Sequence, residues 1–187
     1  METGLSDSVV LVTGGAGGIG ESICRAFASE GAKVIVHYHE SSDNAEKIAN
    51  EIDGFSIKAD LRDSSQALSL IDTIVDTYGK LDICIANAGY YPPESKPIWD
   101  IDIERWNQTI SSNLDVAVNT ARGFLREASR TGSGSLVFVG STAGIYGESG
   151  HSDYAAAKGA ITSGLLMSVK NDVSILGNVR VLSLIHI

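Results

Sequence analysis

Apolar and polar positions along this chain alternate between two periods. Short runs rich in apolar and β-branched residues recur at Val9–Thr13, Lys33–Tyr38, Phe55–Ala59, Leu81–Ala86 and Ser135–Val139, and another begins at Asn178 and reaches Val181. Such runs, bounded by turn residues, read as buried strands. The segments between them carry the helical period, over Ile19–Glu30, Ser42–Ile52, Ser64–Tyr78, Ile103–Ser129 and Ser152–Ile175. Gly31 and Gly79 follow two of these segments and act as stop signals. A loop with Pro92, Pro93 and Pro97 precedes the first long helix. Strand and helix in strict alternation with short connections predict an α/β fold, a doubly wound parallel sheet in three layers. No linker divides it, so a single domain is expected.

Composition narrows the function classes. The chain has 187 residues, 43% of them hydrophobic and 20% charged, which is enough to bury a sizeable core. Its net charge of −9 argues against nucleic acid, whose phosphates require clustered Lys and Arg. No apolar run has the length of a bilayer-spanning helix, and the first residues lack the basic stretch of an export signal. Cys24 and Cys84 sit in periodic apolar segments without metal-ligand spacing, so they read as reduced thiols of a cytoplasmic protein.

Two motifs carry candidate chemistry. The segment Thr13-Gly14-Gly15-Ala16-Gly17-Gly18-Ile19-Gly20 leads from a strand into a helix. Glycines at this spacing allow a sharp turn and a close approach of backbone to a pyrophosphate, and the helix N-terminus offers free N–H groups. Tyr154 and Lys158 lie four residues apart, on one helix face. At pH 7 only about one free tyrosine in a thousand is ionised, and a cation beside it favours the phenolate. Together they point to a dinucleotide and a proton-transfer group.

The remaining motifs bring in a resemblance. Ala86-Asn87-Ala88-Gly89 follows the fourth strand, Ser112-Asn113-Leu114 lies in the long helix, and Ser141 follows the fifth strand, thirteen residues before Tyr154. In that order, with the glycine segment, the set resembles the short-chain dehydrogenase/reductase superfamily over residues 9–181. The resemblance implies a Rossmann-like fold and hydride exchange between a nicotinamide cofactor and a carbonyl or secondary alcohol. It implies Tyr154 as general acid or base, with Lys158 lowering its pKa and bonding the nicotinamide ribose. Ser141 would hold the substrate oxygen, and Asn113 would anchor a water in a proton relay through Lys158. Thr13, Gly14, Gly17, Gly18, Ile19 and Gly20 would cradle the pyrophosphate. Asn87, Ala88 and Gly89 would line the cleft, and Asp60 and Leu61 would border the adenine. A 3-oxoacyl thioester is one implied substrate; sugar, polyol and steroid-type compounds are others. The two long helices would pair across a two-fold axis in a homodimer or homotetramer.

Three points stay open on the sequence. With Gly17 and Gly18 both present, the turn also fits the pattern of the extended epimerase and dehydratase branch. Tyr38, where that branch usually has an acid, favours the compact oxidoreductase branch. The same place bears on the cofactor. No carboxylate ends the second strand, where Tyr38 stands, and His39, Ser41 and Ser42 could accommodate a 2′-phosphate, which favours NADP over NAD, although Gly17 stands where phosphate-preferring members often carry Arg or Lys. The third point is the end of the chain. Leu182-Ser-Leu-Ile-His-Ile187 departs from the family pattern and matches the translation of a transposon end used in preparing sequencing libraries. Residues 182–187 are therefore expected to be a scar on a partial gene, with the sheet incomplete at its C-terminal edge. On that expectation the chain alone binds cofactor weakly or not at all, and a non-catalytic dinucleotide-binding fragment is the alternative reading. Two other groupings, His37/His39/Glu40 as a metal site and Ser141/His151/Asp153 as a hydrolase triad, lack the context their chemistry needs.

Overall fold

The computed structural model describes residues 3–186, so Met1, Glu2 and Ile187 lie outside the described residues. Six parallel strands form one sheet, β1 Val9–Val12, β2 Lys33–Tyr38, β3 Phe55–Lys58, β4 Ile83–Ala86, β5 Ser133–Ser141 and β6 Asn178–His186, in the order β3-β2-β1-β4-β5-β6. The order reverses at β1, so the connections that leave β1 and β4 run to opposite faces of the sheet and a crevice opens outside the C-terminal ends of these two paired strands.

Helices cover both faces. On one side α1 Gly18–Ser29 and α2 Ser42–Glu51 pack on a core of Val10, Val12, Val34, Val36 and Ile48. On the other, α3 Ser64–Tyr78 and α5 Val116–Thr131 bury Leu11, Ile35, Ile71, Phe124, Leu136 and Phe138. Alternate residues of β1 thus serve opposite cores, which is why the strand is apolar at every position. Helix α3 has both ends written in its sequence. The Asp63 side chain accepts from the Ser65 N–H, and Gly79 takes the left-handed conformation at its C-terminus.

The long helices differ from the expectation. The stretch at 103–129 is α4 Ile103–Ile110, a π-helical turn over Ser111–Asp115, and then α5. The stretch at 152–175 is α7 Ser152–Ala160, a second π-helical turn over Ile161–Leu165, and α8 Leu166–Val173. A short helix, α6 Ala143–Tyr146, precedes α7. Strand β6 pairs with β5 from Ser133↔Asn178 to Ser141↔His186, so the pairing continues through the segment read as a scar. Among the described residues no helix is long and apolar enough to cross a membrane, and Cys24 and Cys84 are buried free thiols.

Candidate active site

The glycine segment forms the floor of a cleft of about 600 Å³ over the C-terminal ends of β1, β2 and β4. Gly14 has φ +63°, and a Cβ on it would come 2.9 Å from the Cα of Ala88. A Cβ on Gly20 would collide with the Gly14 carbonyl, so this glycine lets α1 pack against the turn. Gly18 faces open space. Side chains are thus excluded where the turn folds on itself, and the cleft side is bare backbone.

The amides of the turn divide into two sets. Gly14 N–H donates to His37 Nδ1 at 3.0 Å, Gly15 N–H to the His37 carbonyl at 2.9 Å, and Gly17 N–H to the Gly14 carbonyl at 3.1 Å. The N–H groups of Gly18, Ile19 and Gly20, in the first turn of α1, make no backbone hydrogen bond among the described residues. They are the free donors a helix start presents to an anion. These residues fit a dinucleotide pyrophosphate: bare cleft-side backbone, unspent amides and the positive end of the helix dipole.

Thr13 works behind the cleft and is fully buried. Its hydroxyl donates to the Ile85 carbonyl and accepts from the N–H groups of Asn87 and Ala88, both at 3.0 Å. Asn87 returns the contact, its side-chain amide donating to the carbonyls of Thr13 and Gly14. The Ala-Asn-Ala-Gly segment is thereby locked to the glycine turn, and Asn87, Ala88 and Gly89 form the cleft wall.

At the other end the wall is Tyr38, His39, Ser41, Asp60 and Leu61, joined by Arg62. Arg62 grips Asp60 with both arms, at 2.7–3.1 Å, and holds that carboxyl well below its usual range. His39 Nε2 lies 3.7 Å from Asp60. Sequence reasoning weighed His37 only for a metal site and passed over Arg62. Their roles arise from contacts with Gly14, Ala59 and Asp60 that no local spacing reveals.

The proton-transfer group lies past Gly89 rather than in the cleft wall. A Cβ on Gly89 would stand 2.7 Å from Asn113 Oδ1 and 3.5 Å from Lys158 Nζ, so cleft and reactive side chains meet there. Lys158 is buried, donates to the Val139 carbonyl at 3.0 Å, and sits 5.8 Å from the centre of the Tyr154 ring. Burial pushes its ammonium down to about 8. The Tyr154 phenol lies above the ordinary value, not below it. Burial of the ring dominates; the Ser141 hydroxyl works the other way, and the Glu148 carboxylate adds to the rise.

Asn113 lies in the first π-helical turn with no exposed surface. Its amide nitrogen donates to the carbonyls of Tyr90 and Thr109, and its oxygen accepts from the Tyr90 N–H. The side chain pins the strand-to-loop junction after Gly89, and it makes no direct bond to Lys158. Next to Tyr154, Tyr91 stacks on His151 with ring centres 4.5 Å apart and meets Tyr154 edge-on at 5.0 Å. Its hydroxyl donates to Glu148 at 2.5 Å.

His37 and His39 do not share a metal site, since both His37 nitrogens are engaged, Nδ1 with Gly14 and Nε2 with the Ala59 carbonyl. The triad grouping also dissolves: Asp153 is bonded to Arg105 and Thr109, and His151 to the Pro92 carbonyl.

The sequence profile of the short chain dehydrogenase family matches residues 8–185. The chain belongs to the short-chain dehydrogenase family. Among curated relatives, a cis-4-hydroxycyclohexanecarboxylate dehydrogenase of Sinomonas cyclohexanicum is 29% identical over 87% of this chain and 66% of its own length. A 3-oxoacyl-[acyl-carrier-protein] reductase of Staphylococcus aureus is 30% identical over 88% and 68% respectively. The corresponding reductase of Thermotoga maritima is 32% identical over 84% and 65%. The chain therefore spans about two thirds of the length of these relatives.

Proposed function

We propose that this short-chain dehydrogenase chain carries the dinucleotide site and the proton-transfer group of an NAD(P)-dependent oxidoreductase acting between a carbonyl and a secondary alcohol. One observation carries the reading: the unspent amides of Gly18, Ile19 and Gly20 and the Ser141–Tyr154–Lys158 group lie at opposite ends of one path that passes Gly89. The nicotinamide, when bound, supplies or receives the hydride.

The chain's own residues do the rest. Ser141 and Tyr154 hold the substrate oxygen. In reduction Tyr154 donates its proton to that oxygen; in oxidation it takes the proton away. A phenol held above its usual range is protonated at neutral pH, which suits the acid role and hence the reductive direction. Lys158 places a positive charge next to the ribose and the phenol, and Asn113 keeps the Tyr90 backbone in position beside them. Asn113 as water anchor in a relay through Lys158 belongs to the same proposal.

The cofactor is NADP in preference to NAD. His39, Ser41 and Arg62 line the adenosine end, and Tyr38 rather than a carboxylate ends β2. The names of two relatives support a 3-oxoacyl thioester as the substrate class. We place the protein in the cytoplasm as a homodimer or homotetramer, its α4–α5 and α7–α8 faces paired.

The test is NAD(P)H-dependent reduction of carbonyl compounds by the full-length protein. Tyr154→Phe should cut kcat at least a thousandfold with the dinucleotide Kd unchanged within threefold. Undiminished turnover in that variant sinks the mechanism.

A further inference from the structure

His37 is the one buried titratable side chain on the cleft wall that the proton-transfer scheme leaves unused. It is 2% exposed, and both ring nitrogens are engaged. The Ala59 carbonyl, 3.1 Å from Nε2, has only lone pairs to offer, so Nε2 carries the hydrogen. Nδ1 then has a lone pair, which accepts from the Gly14 N–H at 3.0 Å. One neutral tautomer satisfies both contacts. The ring bridges the glycine turn to the end of β3, and the His37 carbonyl accepts from Gly15 N–H alongside.

We infer that His37 is a positioning residue for dinucleotide binding, whose neutral ring fixes the left-handed Gly14 so that the free amides of α1 face the phosphates. The inference rests on the dinucleotide reading of the cleft.

The geometry explains why a base is needed here. Gly14 has φ +63°, a conformation that glycine enters and leaves at little cost. Left alone, that freedom would let the turn sample forms in which Gly18, Ile19 and Gly20 point elsewhere. An acceptor inside the protein removes it and keeps the Gly14 amide from competing for the ligand. A protonated ring has no lone pair and would set N–H against N–H. Burial works against that form, pushing the ring down to about 4. The charged groups that bear on it are His39 of the same segment, which disfavours protonation, and Asp60, beyond β3, which favours it more weakly than burial opposes it.

The test compares His37→Asn with His37→Phe in the full-length protein. In asparagine the Oδ1 atom is bonded to Cγ as Nδ1 is, so the acceptor for Gly14 is kept and only the bond to Ala59 is lost. Phenylalanine keeps the ring and loses both bonds. Kd for NADPH and NADH is read by fluorescence, amide exchange at Gly14 by NMR, and the folded fraction by circular dichroism at the same temperature. The expected result is Kd raised at least tenfold in His37→Phe, with Gly14 exchange accelerated at least tenfold, while His37→Asn stays within threefold on both. A His37→Phe protein, fully folded, that binds within twofold of the parent overturns the role. Equal loss in the two variants also overturns it, since ring packing rather than the acceptor would then matter. A full-length parent protein that binds neither dinucleotide while its Gly14 amide is protected overturns the dinucleotide reading itself and this role with it, and the intact Gly14 bond tells that failure from the other two.

Discussion

Lys158 has its ammonium pushed down by burial to about 8 from an ordinary 10.5, with the Val139 carbonyl as its hydrogen-bond partner. Below pH 8 the folded chain bears the whole cost of a charge it has half stripped of water, roughly 3 kcal/mol for a shift of that size. Between pH 8 and 10.5 the folded chain releases the proton while the unfolded chain still holds it, so stability rises with pH and the cost fades. Lys158→Met removes the charge and one hydrogen bond worth about 1 kcal/mol. It should therefore stabilise the chain by about 2 kcal/mol at pH 7, a Tm rise of roughly 4–8 °C, and by much less at pH 10. Urea denaturation at the two pH values measures this, and a variant less stable than the parent at pH 7 refutes the account. A site group that costs stability where it serves chemistry is the expected trade. Glu148 gives a second pH handle on the same pair. Its carboxylate helps hold the Tyr154 phenol up, so Glu148→Gln should move the ionisation governing alcohol oxidation downward. Glu148 is partly exposed, and solvent screening keeps the shift small. A pH–rate profile of the variant that overlays the parent's would remove Glu148 from the site's electrostatics.

At the scale of elements, α4 and α7 are joined by the pair Arg105–Asp153. The Asp153 carboxylate is fully buried and accepts from Arg105 Nε at 3.0 Å and from the Thr109 hydroxyl at 2.9 Å. The same guanidinium donates to the carbonyls of Glu94 and Gly150, so one side chain secures two loops and the helix that bears Tyr154. Arg105→Met would strand a buried carboxylate, at a cost of about 3–5 kcal/mol. Adding Asp153→Asn should recover a good part of it, and denaturant titration of the single and double variants decides; a single-variant loss below about 1 kcal/mol argues that the pair is dispensable. Nothing in the sequence marks this pair, because its members are 48 residues apart and each lies in an ordinary helical pattern. The same limit explains the long helices. An apolar stripe along 103–129 reads alike whether or not a π-helical turn widens it, and the turn at Ser111–Asp115 goes with the bonds from Asn113 to Tyr90, a tertiary contact. By contrast the end of α3 was legible to the residue because Gly79 is a local signal, and the glycine turn was legible because steric exclusion at Gly14 and Gly20 leaves its mark in the residue type itself. His37 belongs with Arg105. A histidine at a strand end has no spacing that shows both its nitrogens to be spent.

Over the whole molecule the two faces of the sheet are unequally covered. The α3, α5 and α8 side extends across to β6, where Val179 and Val181 are buried. On the α1 and α2 side cover stops near β4 and β5, and Leu182 and Leu184, which alternate with the buried pair, are about half exposed at 52% and 51%. Strand β6 is also the last in the sheet order, so the far edge of its backbone has no partner strand among the described residues. Apolar side chains beside an unpaired strand edge favour association between copies of a chain. Lysine at both positions, Leu182→Lys with Leu184→Lys, puts charge on that strip while Val179 and Val181 keep β6 on the core. The double variant should remain monodisperse at concentrations where the parent chain scatters light, with Tm changed by only a few degrees. Equal scattering from the two proteins would place the associating surface elsewhere, with exposed Trp99 and Tyr146 as the next to replace.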